Sequence, residues 1–480
     1  MLKPAFTPAS AQAAAPTLAS APSQPDLVVF NKFDGAVLAT LPQCTPSGVE
    51  RELRRAFAAG PIAASMPRHE RGRILDAAAG LLEERAETAA ELIVAEAGKT
   101  FTQARKEVSR AVNTLKLSAA ETRRNVGEVV PFDSFAGSEN RQGWFTREPL
   151  GLIAAITPYN DALNLVAHKI GPAIAGGNTV ILKPSQLTPL TALFLVDLLV
   201  ESGLPADCIV VVLGDRRVAQ AIISSKLVRM VSFTGGFATG RAIAANAGIK
   251  RLSMELGGNA PVIVFDDADI PAAVQASVSG AFWAAGQNCI GAQRILVQRA
   301  VFDSFLESFV ARTAGLKAGD PRSEATDVGP MISAAAAAEA KRKIDDAVCA
   351  GARLLTGGSV EGAVLTPAVL TGVPRACEAW SEELFAPVVL VEPFDSTEEA
   401  IELANDSEYA LQAGIFTADL RRALDTAKAI DAGGVMINDS SDYRLDAMPF
   451  GGSKYGSMGR EGVRFAYEEM TQPKVVAIAS

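Results

Sequence analysis

Three residues stand out for the chemistry that their flanks allow. Cys289 lies in AAGQNCIGAQR (284–294). The stretch before it is apolar and helical, and Gly286, Gln287 and Asn288 break that helix. A cysteine at such a break sits among free backbone N–H groups, which lower its pKa and can hold an oxyanion. A buried structural cysteine is the commoner fate. Glu255 ends an apolar-flanked stretch in SMELGGNAPVIVF (253–265). The two glycines after it let backbone and ligand approach closely. A carboxylate in apolar surroundings has a raised pKa and can act as a general base; a solvated strand-end glutamate is the plainer reading. Asn160, in AITPYNDALN, follows a strand and a proline. Its amide could donate to an oxyanion, or it could simply cap the next helix.

A nucleotide site is also legible. FTGGFATG (233–240) reads as strand, Gly-Gly turn and helix start, and a helix N-terminus binds anions such as a pyrophosphate. It departs from the G-x-G-x-x-G pattern. In ILKPSQLTP (181–189), Lys183 ends the preceding strand, near where a ribose or phosphate would lie.

These residues need a frame to hold them. From about 151 short apolar runs alternate with helical stretches: GLIAAIT, NTVILKP, CIVVVLG and VRMVSFTG, then PVIVF, RILVQ, APVVLVEPF, QAGIFT and GVMIND. Continuous apolar strands joined by helical crossovers mean parallel sheets covered on both faces, in two successive α/β units. Helices are expected over 47–124, one of them stopping at Gly98 and another spanning 101–122, and a helix is expected over 270–286. The stretch 129–151 reads as a β-excursion. The tail 474–480 is an apolar strand in need of a partner, which a neighbouring subunit would supply. Residues 1–26 are Ala/Pro/Ser-rich and read as a loose arm.

The whole composition narrows the chemistry. The chain has 480 residues, 45 Lys plus Arg against 54 Asp plus Glu, and a formal net charge of −9. That acidity argues against nucleic-acid or anionic-membrane partners but not against a small anion. No apolar run is long enough to span a bilayer. Only two His and five widely spaced Cys are present, so a disulfide framework, a metal site and a His-based triad are all disfavoured, and a catalytic base is expected to be a carboxylate. Unpaired cysteines fit a cytoplasmic location.

Taken in order and spacing, Asn160, Lys183, the 233–240 turn, Glu255–Gly258, Cys289, Glu383–Phe385 in EELFAPV and PFGGSKYGSMGREG (449–462) resemble the aldehyde dehydrogenase superfamily over about 30–480. The resemblance implies an α/β fold: a Rossmann-type parallel-sheet cofactor domain (27–128 and 152–256), an α/β catalytic domain (257–462) and a small β oligomerisation arm (129–151 and 463–480). It implies a homodimer or homotetramer and NAD or NADP as cofactor. Cys289 would attack the aldehyde, Asn160 and the Cys289 N–H would hold the oxyanion, and Glu255 would activate the water that hydrolyses the thioester. Lys183, Ser185, Gln186, Gly214, Thr234, Gly235, Gly236 and Gly240 would line the cofactor, with Glu383 on the nicotinamide ribose and Phe385 near it. Lys169 matches the lysine that often follows the asparagine. Glu255 favours hydrolysis over release to coenzyme A; a coenzyme-A-acylating enzyme and a catalytically silent binding protein are the alternatives.

Some positions depart from the family pattern. Gln186 stands where NAD-preferring members often carry Glu, and Arg216 and Arg217 could meet a 2′-phosphate or simply be solvated. Gly236 replaces a frequent Ser, Ala386 a usual Gly, and Tyr455-Gly456-Ser457 reverses a usual order. The motifs are most similar to the lactaldehyde, phosphonoacetaldehyde, sulfoacetaldehyde and non-phosphorylating glyceraldehyde-3-phosphate dehydrogenases. That neighbourhood implies a short, anionic or hydroxylated aldehyde. Arg110 in EVSRAVNTL, and Arg444 with Tyr443 in DYRLD, are the candidate tail contacts, although Asp442 and Asp446 could neutralise Arg444. Arg294 is expected in an internal salt bridge, and His168 in helix packing.

Overall fold

The computed structural model describes residues 25–124 and 126–479, so the expected arm at 1–26 lies outside the described residues except for its last two. A six-stranded sheet forms the first core. Its strands run in the order Ser457–Met458, Arg251–Glu255, Val228–Thr234, Leu152–Ile156, Thr179–Lys183, Ile209–Val211. The last five are parallel, and Ser457–Met458 is antiparallel at the edge. Every residue of Leu152–Ile156 and Thr179–Lys183 is buried, as unbroken apolar strands between two helical layers must be. In chain order these five strands lie 5-4-1-2-3, so the order reverses between Leu152–Ile156 and Val228–Thr234. The crevice beyond the carboxyl ends of such a pair is where open α/β sheets bind ligands.

The second core is a seven-stranded sheet, ordered Arg353–Thr356, Ala368–Thr371, Val388–Phe394, Ala292–Gln298, Ala260–Val264, Gln412–Phe416, Gly434–Ile437. Only the edge strand Arg353–Thr356 is antiparallel. The third sheet is small and antiparallel: Thr471–Ala479 pairs with Arg141–Pro149, which pairs with Gly127–Val129.

Helices cover the sheets much as the apolar spacing requires. Arg68–Glu84 and Ala86–Ala97 break at Arg85, and the second stops at Gly98, whose φ of 75° is the left-handed C-cap that glycine adopts without strain. A Cβ at Gly98 would also stand 2.9 Å from the Pro330 ring. The next helix is Phe101–Arg124.

Three expectations are corrected. The helix expected to reach 286 ends at Phe282, because Ala284 and Ala285 take left-handed φ of 51° and 55° in a short turn. The tail strand finds its first partner within the chain, at Arg141–Pro149. Residues 463–469, assigned to the arm, instead form the helix Val463–Glu469, and Tyr467 and Met470 pack in the first core.

Candidate active site

One cavity of about 900 Å³ lies at the reversal point of the first sheet and opens against the second. It is lined by Cys289, Glu255, Asn160, Thr234, Gly235, Gly236, Glu383, Phe385, Arg110, Tyr443 and Arg444, all of them expected from the sequence. Asn160 stands on the loop after Leu152–Ile156, Thr234 ends the neighbouring strand, and Cys289 lies between the turn Trp283–Gly286 and the strand Ala292–Gln298.

Glycines bring these loops together. A Cβ at Gly258 would fall 1.9 Å from the Cys289 carbonyl oxygen, and one at Gly257 would fall 2.5 Å from Glu383 Oε2. The Gly258 N–H donates to Glu383 Oε1 at 2.9 Å. The Gly257–Gly258 backbone therefore packs directly against the Cys289 backbone and against the Glu383 carboxylate, and a side chain at Gly258 would collide with the Cys289 carbonyl. The Ser441 hydroxyl donates to the Ile290 carbonyl at 2.7 Å and ties the 439–446 loop to the cysteine loop.

The electrostatics differ from the expectation at one point. Burial, with the charges of Glu383 and Glu255 nearby, raises the Cys289 thiol well above its ordinary range, against Arg444. The free N–H groups of a helix break were expected to lower it; desolvation wins. The Asn160 amide and the Cys289 N–H are bonded to no other described group, so both stand free to donate. Glu255 is 1% exposed, and neither carboxyl oxygen has a hydrogen-bond partner. Burial first, then the charge of Glu461, raises its pKa well above the carboxylate range; Arg444, Lys169 and Arg460 oppose this. Such a carboxyl is poised to take up a proton.

Behind Glu255 runs a buried ionic network. Lys169 Nζ donates to Glu461 at 2.9 Å, Arg444 donates to the other Glu461 oxygen at 2.9 Å, and the Thr234 hydroxyl adds a third bond. Lys169 and Arg444, with the charge of His168 adding, hold Glu461 far below the usual carboxylate range despite its burial. A second network joins Lys99 to Glu107 and Asp161, and Arg110 to Asp161 and to Asp446 at 2.9 Å. His168 Nε2 also meets Asp446 at 2.9 Å. Asp446 thus pairs with Arg110 and His168, and Arg444 pairs with Glu461 rather than with Asp442 or Asp446. Arg294 is fully buried, but its partners are the carbonyls of Asn259, Leu403, Ala404 and Asp406, not a carboxylate. Lys99, Glu107, Asp161 and Glu461 were not singled out from the sequence. Asp161 adjoins Asn160 and Glu461 lies within the 449–462 motif, so adjacency was the available signal.

Lys183, Ser185, Gln186, Gly214 and Gly240 lie outside this cavity, at the carboxyl ends of the adjoining strands and on the helix behind Gly236. Burial lowers Lys183 to about 8, against the charge of Asp215. Gln186 Nε2 donates to Gln43 at 2.7 Å, and Arg217 is paired with Asp215 at 2.8 Å. The residues fit a dinucleotide. A Cβ at Gly236 would meet nothing within 4 Å, so the amino end of the helix Phe237–Asn246 faces open space at the crevice.

The aldehyde dehydrogenase family model matches residues 19–476. The chain is 56% identical over 461 residues to aspartate-semialdehyde dehydrogenase 1 of Pseudomonas canavaninivorans, covering 96% of this chain and 98% of that one. Aldehyde dehydrogenase 21 of Physcomitrella patens, solved with its reaction product succinate, superposes with a TM-score of 0.93 at 38% identity, over 96% of each chain. The glyceraldehyde-3-phosphate dehydrogenase GapN of Methanocaldococcus jannaschii, solved with NADP, gives 0.92 at 37% identity, over 96% of this chain and 100% of that one. With its two α/β sheets, its cysteine loop and its buried glutamate, the chain belongs to the aldehyde dehydrogenase family and is an NAD(P)-dependent aldehyde oxidoreductase.

Proposed function

We propose that the chain oxidises a short aldehyde with an anionic or hydroxylated tail to its carboxylic acid, through a thioester on Cys289 that Glu255 helps water to hydrolyse. The observation that carries this reading is the convergence of Cys289, Asn160 and Glu255 on one cavity. The Cys289 sulfur bonds to the aldehyde carbon, the carbonyl π pair moves onto the oxygen, and the thiol proton passes to solvent water. The Asn160 amide and the Cys289 N–H donate to the oxygen, where negative charge develops. When bound, NAD or NADP supplies the hydride acceptor. Glu255 then takes a proton from water, whose oxygen attacks the thioester carbon and expels the Cys289 sulfur.

Thr234, Gly235, Gly236 and Gly240 hold the pyrophosphate side of the cofactor; Lys183, Ser185, Gln186 and Gly214 hold the adenosine side. Glu383 and Phe385 hold the nicotinamide ribose. The first sheet with its helices is the cofactor domain and the second is the catalytic domain. Arg110, Arg444 and Tyr443 meet the substrate tail. Both arginines line the cavity and bring positive charge to it, with their terminal nitrogens engaged with Asp161 and Asp446, or with Glu461. The relative named for aspartate semialdehyde supports a four-carbon aldehyde bearing a carboxylate. The exposed strands of the third sheet support assembly into a dimer or tetramer.

Rapid mixing of the protein with NAD(P)+ and a short anionic aldehyde tests the reaction. The expected result is a burst of NAD(P)H in the wild type that vanishes in Cys289→Ser. A burst that survives in Cys289→Ser would overturn the reading.

A further inference from the structure

The charges lining the cavity are unequal. Four bases (Lys99, Lys106, Arg110 and Arg444) face eight acids (Glu107, Asp161, Glu255, Glu383, Asp439, Asp442, Asp446 and Glu461). Three of the bases are already matched: Lys99 by Glu107 and Asp161, Arg110 by Asp161 and Asp446, Arg444 by Glu461. The fourth, Lys106, lies over the Trp283 ring, 4.7 Å from its centroid. Among the acids, Glu255 and Glu383 have roles in the reading above. Asp439 and Asp442 enter no ion pair among the described residues. The cavity therefore offers unmatched carboxylates, and a substrate carrying only negative charge would add to that excess.

Asp442 is the better held of the two. The loop around it is pinned on both sides: Ser441 donates to the Ile290 carbonyl beside Cys289, and Gln412 Nε2 donates to the carbonyls of Ser441 at 2.6 Å and Tyr443 at 3.1 Å. Gly280, on the helix that leads to the cysteine loop, leaves the space this packing needs. A Cβ there would stand 2.0 Å from Ser440 Oγ and 2.8 Å from Asp442 Oδ1. The Asp442 carboxylate is thus fixed against the same helix and loop that carry the nucleophile. Burial, reinforced by Asp439, raises its pKa; Ser440 and Lys106 oppose the shift. A desolvated carboxylate without an ion-pair partner is stabilised by an incoming cation. Independently of this acid pair, Arg444 lines the same cavity and its positive charge reaches Cys289, a field suited to the opposite charge.

We propose that Asp442 recognises an ammonium group on the substrate, so that the preferred aldehyde is an amino-acid semialdehyde carrying both a carboxylate and an ammonium. This rests on the Cys289 reading above and adds to it a selectivity residue and a second substrate charge. The ammonium stands away from the reacting carbon, so its recognition acts mainly through KM.

The test compares two aldehydes of one skeleton, aspartate β-semialdehyde and succinate semialdehyde, which differ by the α-ammonium. The full-length protein is assayed with both under saturating NAD(P)+, as wild type and as Asp442→Asn. The wild type is expected to prefer the amino compound in kcat/KM by about 10- to 100-fold, the value of a charge-assisted hydrogen bond in a desolvated site. Asp442→Asn is expected to erase most of that preference, with the change in KM. A wild-type preference for succinate semialdehyde would overturn the proposal whatever the variant does, and so would an undiminished preference in Asp442→Asn. If neither aldehyde gives Cys289-dependent NAD(P)H, the underlying reaction fails instead, which is a separate outcome.

Discussion

In the proposed reaction hydrolysis turns on Glu255, and its pH behaviour follows from its surroundings. Its carboxyl pKa is raised by burial and by Glu461. A base works only when deprotonated, so hydrolysis should fall as pH drops through that raised value. The acid limb of kcat should therefore lie above the ordinary glutamate value of about 4.3. Glu255→Gln should lose steady-state turnover by roughly 100-fold or more while keeping the NAD(P)H burst. Stopped-flow traces across pH check both; an acid limb at the ordinary glutamate value would count against the assignment. The flanks of the three central residues were weak signals one by one; their joint order and spacing, through the family resemblance, marked them as a set, and all three line one cavity. The partners of Arg110 were not legible: Asp161 and Asp446 lie 51 and 336 positions away, and only the fold brings them together.

At the scale of elements, two helices and a loop lock the site through buried charge. Lys169, on the helix Asn164–Ala175, and Arg444, in the 439–446 loop, share Glu461 just before the helix Val463–Glu469. Lys169→Met would leave Glu461 buried with half its compensation. Urea denaturation should show a loss of about 3 kcal/mol at neutral pH. The sign with pH is set by Glu461, whose folded-state pKa lies below its unfolded value. The stability it confers is present above about pH 4 and is lost as pH falls further, so the gap between wild type and variant should narrow there. An equal gap at neutral and acid pH would contradict the pairing. The inner strands were legible as continuous apolar runs. The early end of the helix at Phe282 was not, because alanine carries no sign of a left-handed φ. The strands Arg353–Thr356 and Ala368–Thr371 were also missed, being short and lacking a longer apolar run.

The whole molecule leaves its three-stranded antiparallel sheet uncovered. Val129, Trp144, Val475, Val476 and Ile478 are exposed on it, and Thr471–Ala479 is a free edge. Exposed apolar strands with an open edge call for pairing with another copy. The wild type should sediment as a dimer or tetramer, and the double change Val475→Asp with Ile478→Asp should shift it to a smaller species. An unchanged sedimentation coefficient would remove the arm from the interface. The need of the tail for a partner was legible, but its location was not, since Arg141–Pro149 lies more than 320 positions upstream. Among the described residues no helix is long and apolar enough to cross a membrane.

The central claim is that substrate carbon becomes bonded to Cys289 and that Glu255 is needed to release it. Intact and peptide mass spectrometry of Glu255→Gln, quenched after mixing with NAD(P)+ and a short anionic aldehyde, tests this most directly. The expected product is an adduct on the Cys289 peptide with the mass of the aldehyde less two hydrogens, the signature of a thioester. An unmodified Cys289 peptide in a sample that has formed NAD(P)H would contradict it.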